Sequence, residues 1–398
     1  MSVLVKDFEA HRDYVPFILS RSSSNLLLVI FVFTPLLNVM LLTFIPMSIA
    51  SHFGNWDVAL RFSVSFIATM NLTKFLNEAT DSLSNQLDRK HTGLLNVSFG
   101  NAVKIVAAIA ALLQEYGMLT ALYLQILGSI LTNILLILGW SFIVAGLKFS
   151  MSDFETTAAQ ALTFTEFVLL TCIILMMPTA HHALSNPNSI QGSALSELAD
   201  TDSKEQWQDA LLKSVSRATA ILTLVMYFVY LFFQLKTHRN LFRNKFRFLD
   251  KDVDQRHSLA FVTALTTFCS ELLVASIEEL CEKYYFPKSF ISLIILPLAN
   301  ADNTSAMKMA MRGQMGVTVD ICIGSAIQSI ALMEPLLVIV GWITGHEVPL
   351  FFGKFETIVF FSSVLLALTV VKNGKSNYLE GVVLVTLYLI IALACSQL

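Results

Sequence analysis

The sequence predicts an all-α polytopic membrane protein of about eleven transmembrane helices, one peripheral helix plus two inverted five-helix repeats. Three observations carry this expectation. The 398-residue chain is 55% hydrophobic and 14% charged, with a mean hydropathy of +0.67; soluble domains are roughly a quarter charged. Apolar runs of about 20 residues, enough to cross a bilayer at ~1.5 Å per residue, recur along its length. Polar landmarks in the first half return in the second at nearly one offset.

Residues 1–24 form a polar segment expected in the cytosol, without the charged, apolar and cleavage-site pattern of a removable signal peptide. The run at 25–49 is the peripheral first span. Further spans are expected at roughly 57–80, 92–113, 118–146, 157–178, 211–235, 258–280, 288–311, 316–342, 353–371 and 378–396. They group into a first five-helix repeat, 57–235, a basic cytosolic loop, 236–257, and a second five-helix repeat, 258–398.

Charge sets the orientation. With a cytosolic N-terminus, sixteen Lys and Arg fall in cytosolic segments and five on the far side or at its helix ends, as the positive-inside bias requires. Residues 179–210 carry Glu197, Asp200, Asp202, Glu205 and Asp209 against one lysine, which suits the far side. Residues 236–256 are basic with interleaved aromatics, either a topological anchor or an interfacial helix touching anionic lipid. A short loop at a membrane surface does not point to nucleic acid.

Five scattered cysteines, an odd number, argue against a disulfide framework or metal cluster. Adjacent His181 and His182 point in different directions on a helix and do not make a metal pair. No nucleophile-base-orienter set, Gly-rich phosphate loop or zinc-ligand spacing is visible, so neither an enzyme nor a resident cofactor is expected.

The repeat is read from three pairs. Gly128-Ser129, closed by Asn133, answers Gly324-Ser325, closed by Gln328, at an offset of 196 (324 − 128). Asp81 answers Glu278 at 197 (278 − 81), and Lys104 answers Asp302 at 198 (302 − 104). Five spans per half force the halves into opposite orientations. That is the inverted-repeat plan of secondary transporters, whose sites lie at the midplane between the halves. The plainer reading of the notches is close helix packing by small residues.

The polar residues suggest a cation site. A hard cation such as Ca²⁺ takes about six to eight oxygens from carboxylates, carbonyls and amides. The candidate donors are Asn101, Ser129 and Asn133 in the first half and Asn300, Asp302, Ser325 and Gln328 in the second. Asp302 is the leading metal ligand, because proton and cation compete for the same carboxylate oxygens. Asp81 and Glu278 are read as gating or recruiting charges, or as plain solvated helix ends. Glu271, well inside an apolar run, is a further gating or recruiting candidate. Lys104 is the charge modifier, an ammonium in the polar stretch Thr92–Lys104 at expected bilayer depth. Pairing between Lys104 and Asp302 either abolishes divalent transport or makes the site proton- or monovalent-driven.

With these residues laid out, the chain resembles the vacuolar calcium/proton exchanger family of the cation/calcium exchanger superfamily, over about residues 20–396. The resemblance rests on Ala79-Thr80-Asp81, Gly93 to Val103, Gly128 to Gly139, Leu296-Pro297, Gly324 to Gln328, Val340-Gly341-Trp342 and Asn377 to Gly381. It implies eleven spans in two inverted halves plus one, and exchange of cytosolic Ca²⁺ for lumenal H⁺ in the vacuolar membrane. It also implies a Gly-Asn-Ala motif ending in a cation-binding glutamate in each half. Here the motifs read Gly100-Asn101-Ala102-Val103-Lys104 and Ala299-Asn300-Ala301-Asp302-Asn303, so both acidic positions depart. The loop between the halves, acidic in the family, is basic here.

The expected function is therefore a divergent exchanger of cytosolic Ca²⁺, or a related cation, for H⁺, its partners being the lipid bilayer and those two ions. The alternative is a non-transporting regulatory or scaffold paralogue, blocked by a Lys104–Asp302 ion pair.

Overall fold

The computed structural model describes residues 43–54, 56–86, 117–149, 152–153, 166–174, 176–177, 201–237, 259–299, 303–345, 353–372 and 374–397. They are helical apart from one short strand pair. In chain order the helices are α1 (Phe44–Phe53), α2 (Val58–Gln86), α3 (Gly117–Leu131), α4 (Leu138–Phe149), α5 (Thr201–Phe232), α6 (Leu259–Ala275) and α7 (Ile277–Tyr284). Then follow α8 (Lys288–Ala299), α9 (Asn303–Met311), α10 (Met315–Gln328), α11 (Glu334–Thr344), α12 (Lys354–Lys372) and α13 (Tyr378–Cys395). Strands β1 (Ser152–Asp153) and β2 (Lys375–Ser376) pair antiparallel.

Among these, five stretches are long and apolar enough to cross a membrane: Tyr123–Phe149, Leu212–Phe232, Met315–Thr344, Phe355–Lys372 and Tyr378–Cys395. Their burial ranks them. Of its most apolar window, Tyr123–Phe149 buries 72% inside the protein and Met315–Thr344 buries 67%, against 28% for Tyr378–Cys395. The first two are the centre of the bundle. The last turns Leu389, Ile390 and Leu393 outward, as a helix apolar on all sides does when lipid is its solvent.

Both central helices are interrupted by a π-helical turn, Thr132–Ile137 between α3 and α4 and Ser329–Met333 between α10 and α11. These turns start 197 positions apart (329 − 132), inside the offsets found for the polar landmarks. A π turn widens the helix by one residue and is common at functional sites.

Small residues set the helix approaches. α4 and α13 run antiparallel, Gly146 against Tyr378 and Gly139 against Gly381. A Cβ on Gly381 would lie 2.5 Å from the Gly139 carbonyl oxygen, and one on Gly139 2.9 Å from the Gly381 oxygen. Asn377 and Glu380 explain the rest of that sequence motif. The Asn377 side chain accepts from the Glu380 N–H at 2.9 Å and the Glu380 carboxylate accepts from the Asn377 N–H, a capping box at the start of α13. Gly381→Leu is expected to cost about 3 kcal/mol or more by overpacking this seam, read as a lower melting temperature of the detergent-solubilised protein.

Three expected boundaries differ. The span at 258–280 breaks at Ser276, whose Oγ and backbone N–H both donate to the Leu273 carbonyl at 2.6 and 3.2 Å; the side chain competes for helix hydrogen bonds. The span at 288–311 is two helices, α8 ending at Ala299 and α9 starting at Asn303. The helix expected at 211–235 starts at Thr201. The five cysteines are buried thiols, not disulfides.

Polar contacts tie the chain at two places. Lys148 Nζ at the end of α4 donates to the Met311 carbonyl at 2.8 Å, near the β1–β2 pair. Elsewhere α7 is laced to α2. Arg61 pairs with Glu279, and Lys283 with Asp57 at 3.0 Å. The Lys283 hydrogen bond, aided by the Ala59 N–H, holds the Asp57 carboxyl below its ordinary value, and the same bond raises Lys283. Because the folded carboxyl titrates lower than the unfolded one, the pair stabilises above the ordinary 3.8 and that contribution fades as pH falls through the lowered value. Lys283 sets the upper limit, where the contribution is lost as pH rises through its raised value. Asp57→Asn is thus expected to lower the melting temperature slightly at neutral pH and leave it unchanged in strong acid. The pair is exposed, so the effect is small.

Candidate cation site

The two glycine-serine notches meet. Asn133 lies in the first π turn, and its Nδ2 donates to the Ser129 carbonyl at 2.8 Å and to Ser325 Oγ at 3.1 Å. One amide therefore joins the first half to the second. Ser129 and Asn133 are buried, and Ser329, also buried, donates its hydroxyl to the Ser325 carbonyl at 3.1 Å. Beside them Thr132 Oγ1 and the Tyr388 hydroxyl share a hydrogen bond of 3.2 Å, fixing the π turn against α13.

The glycines make the crossing close. A side chain on Gly128 would collide with the Leu293 carbonyl and Pro297 of α8. Glycine at that place lets α3 lie on the backbone of α8, the π turn Ile291–Ile295 included. With both Nδ2 hydrogens committed, Asn133 keeps Oδ1, and the serine hydroxyls keep lone pairs. These are neutral oxygens of the kind a hard cation takes. No three His, Cys, Asp or Glu side chains converge on a metal-sized site among the described residues.

Of the residues expected at the site, the structure brings together Ser129, Asn133 and Ser325. Gln328 is half-buried one helical turn beyond Ser325. Asn101, Lys104, Asn300 and Asp302 lie outside the described residues, and with them the expected Lys104–Asp302 pair. Asp81 falls inside α2, with its side chain outside the described set. Glu278 is exposed and pairs with Lys288 at 2.9 Å. Glu271 is half-buried on α6 with no ion-pair partner among the described residues.

Two carboxylates escape the sequence reading. Asp320 on α10 and Glu334 at the start of α11 are both buried, at 5% and 0% exposure. The signal that singles out Lys104, an ionisable residue within an apolar run, applies equally to them.

Comparison with known proteins gives the family. The model of the sodium/calcium exchanger protein family matches residues 58–236 and 257–396. The chain belongs to that family. Within it, the chain is 33% identical over 366 residues to a vacuolar calcium ion transporter of Schizosaccharomyces pombe, covering 89% of this chain and 83% of the relative. It is 30% identical over 381 residues to a Ca²⁺/H⁺ antiporter of Aphanothece halophytica, covering 89% and 94%. Among solved structures, native YfkE matches with a TM-score of 0.70 at 26% identity, over 91% of this chain and 100% of that one. The H⁺/Ca²⁺ exchanger CAX shares the fold, with a TM-score of 0.62 at 13% identity over 91% of each chain. The helical membrane architecture expected from hydropathy is thus the architecture of this family's exchangers.

Proposed function

We propose that the protein is a secondary active transporter that exchanges cytosolic Ca²⁺ for H⁺ across the vacuolar or another endomembrane, with its N-terminus in the cytosol. The observation that carries this reading is the Asn133 bridge between the Ser129 and Ser325 notches, buried where the two central helices cross. The names of its relatives, calcium transporters and Ca²⁺/H⁺ antiporters, supply the ions. Interrupted helices meeting at depth are how such folds expose backbone and side-chain oxygens to an ion. Asn133, Ser129, Ser325 and Gln328 are the described oxygen ligands, Asn101 and Asn300 the further amides, and Asp302 the carboxylate shared by cation and proton. Asp81, Glu278 and Glu271 attract or gate the cation. The protein does no covalent chemistry on its cargo and is not an enzyme. Alternating access then lets the proton gradient drive Ca²⁺ out of the cytosol.

The test is uptake of radiolabelled calcium into proteoliposomes under an imposed pH gradient. Uptake that collapses when an ionophore dissipates the gradient is the expected result. Gradient-independent leakage equal to that of protein-free vesicles would defeat the reading and favour the non-transporting paralogue.

A further inference from the structure

Glu334 is enclosed on all sides, and neither of its carboxylate oxygens has a hydrogen-bond partner among the described residues. It stands between two interruptions of the helix. The π turn Ser329–Met333 precedes it, and Pro335 follows it. Proline has no N–H, so a carbonyl of the preceding turn loses its helical donor. The backbone beside Glu334 thus gains a spare acceptor and lacks one donor. Its counterpart 197 positions earlier is Ile137, buried and apolar, so the carboxylate exists in the second half alone.

A carboxylate that braces a fold does so through hydrogen bonds, and Glu334 makes none among the described residues. Left ionised and unpaired at this depth it would cost several kcal/mol. A proton, a cation or access to water each removes that cost, and each belongs to an exchange cycle. The titratable groups on the elements packed around it are Tyr123 on α3, Glu166 and Cys172 in the helical stretch 166–174, and Asp320 and Cys322 on α10. On α5, which packs along α11, they are Lys213, Arg217, Tyr227 and Tyr230. Tyr123 and Cys172 lie within electrostatic reach of Glu334, while the Arg217 guanidinium is stacked on the Trp342 ring at 4.9 Å. No cation among the described residues is bonded to the carboxylate.

We propose that Glu334 is a proton-carrying carboxylate of this protein, holding a proton while enclosed and releasing it when its oxygens reach water. This rests on the exchange reading above and adds to it a second acid, outside both Gly-Asn-Ala motifs. On release the carboxyl O–H bond breaks, the proton passes to water, and the electron pair stays on the Glu334 oxygen. The resulting anion is neutralised by a divalent cation arriving at the notch six residues away along the same continuous helix. Glu334 thereby stands in for an acid at the first motif, where Lys104 is found.

The test has two arms. In the first, purified protein is treated with dicyclohexylcarbodiimide, which couples to protonated carboxyls in apolar surroundings, and the modified peptide is mapped by mass spectrometry. Labelling at Glu334 that is strong in mildly acidic buffer and falls in mildly alkaline buffer or on adding calcium is expected. Labelling that ignores both pH and calcium, or never reaches Glu334, overturns the proposal whether or not the protein exchanges ions. In the second, Glu334→Gln and Glu334→Asp are compared with native protein in proteoliposomes. Glu334→Gln is expected to lower pH-driven calcium uptake by about a hundredfold, the low end of what a positioned proton-transfer group contributes, while calcium–calcium counterflow persists. Glu334→Asp, which keeps the acid, is expected to restore pH-driven uptake in part. Undiminished pH-driven uptake in Glu334→Gln, or equal loss of both modes in a Gln variant that melts like native protein, overturns the proposal. Silence of native protein in both transport modes defeats the exchange reading instead, and the labelling arm then decides the role of Glu334 by itself.

Discussion

Asn133→Leu is expected to cut pH-driven calcium uptake by about ten- to a hundredfold, the range that follows loss of an orienting group at a metal site. Leucine keeps the asparagine branching pattern, a Cγ bearing two heavy atoms, so it is the apolar replacement that disturbs the buried π turn least. What goes is chemical. Ser325 Oγ and the Ser129 carbonyl each lose a donor, and Oδ1 disappears as a ligand. Two buried hydrogen bonds are worth about 1–3 kcal/mol together, too little to unfold a core of this extent. The melting temperature is therefore expected to shift modestly while transport collapses. A rise in the calcium KM with an unchanged maximal rate would assign Asn133 to binding; loss of both would assign it to holding the halves in register. Normal uptake would remove the notch from the site altogether.

Lys104→Glu is expected to raise calcium uptake by about tenfold or more. Two unit charges 4 Å apart interact by roughly 4 kcal/mol at the effective dielectric of a partly wet protein interior. On the sequence reading that puts Lys104 at the first-half position matching Asp302, its ammonium opposes a divalent ion in the pathway strongly, and a carboxylate there attracts it. The assay is the same proteoliposome uptake, with native protein and the variant reconstituted at equal density. Lys104→Met separates the contributions: it removes the positive charge without adding a negative one, so uptake between native and Lys104→Glu is expected. Lower uptake in Lys104→Glu than in native protein would show that the ammonium assists exchange.

Much of this arrangement is legible in the chain because small and polar residues stand out from an apolar run. Gly128, Ser129, Gly324 and Ser325 show up in that way, and the near-constant offset joins them into a repeat. The Asn133–Ser325 bond is not legible, since it spans 192 positions and depends on how two helices cross. The π turns escape for the same reason, because an i to i−5 bond changes no residue type. Glu334 escapes differently. Hydropathy averaged over a span dilutes one carboxylate among Leu, Ile and Val neighbours, and no motif marks it. The Ser276 break escapes because one serine amid apolar helix is an ordinary sight, and its competition for the Leu273 carbonyl shows only in the backbone geometry. Asn377 and Gly381, by contrast, are visible as a motif, and the capping box and the Gly139 contact supply its physical reason.

The burial of all five thiols has a practical use. Native protein already resembles a cysteine-free background for a membrane-impermeant maleimide, since Cys172, Cys269, Cys281, Cys322 and Cys395 are shielded. A single new cysteine is then a reporter of sidedness. Asp57 and Arg312 are exposed, and the proposed orientation puts them on opposite faces of the bilayer. In sealed vacuolar vesicles with the cytosolic face outward, Arg312→Cys would take the reagent at once and Asp57→Cys only after permeabilisation. The reverse pattern would turn the whole molecule over in the membrane.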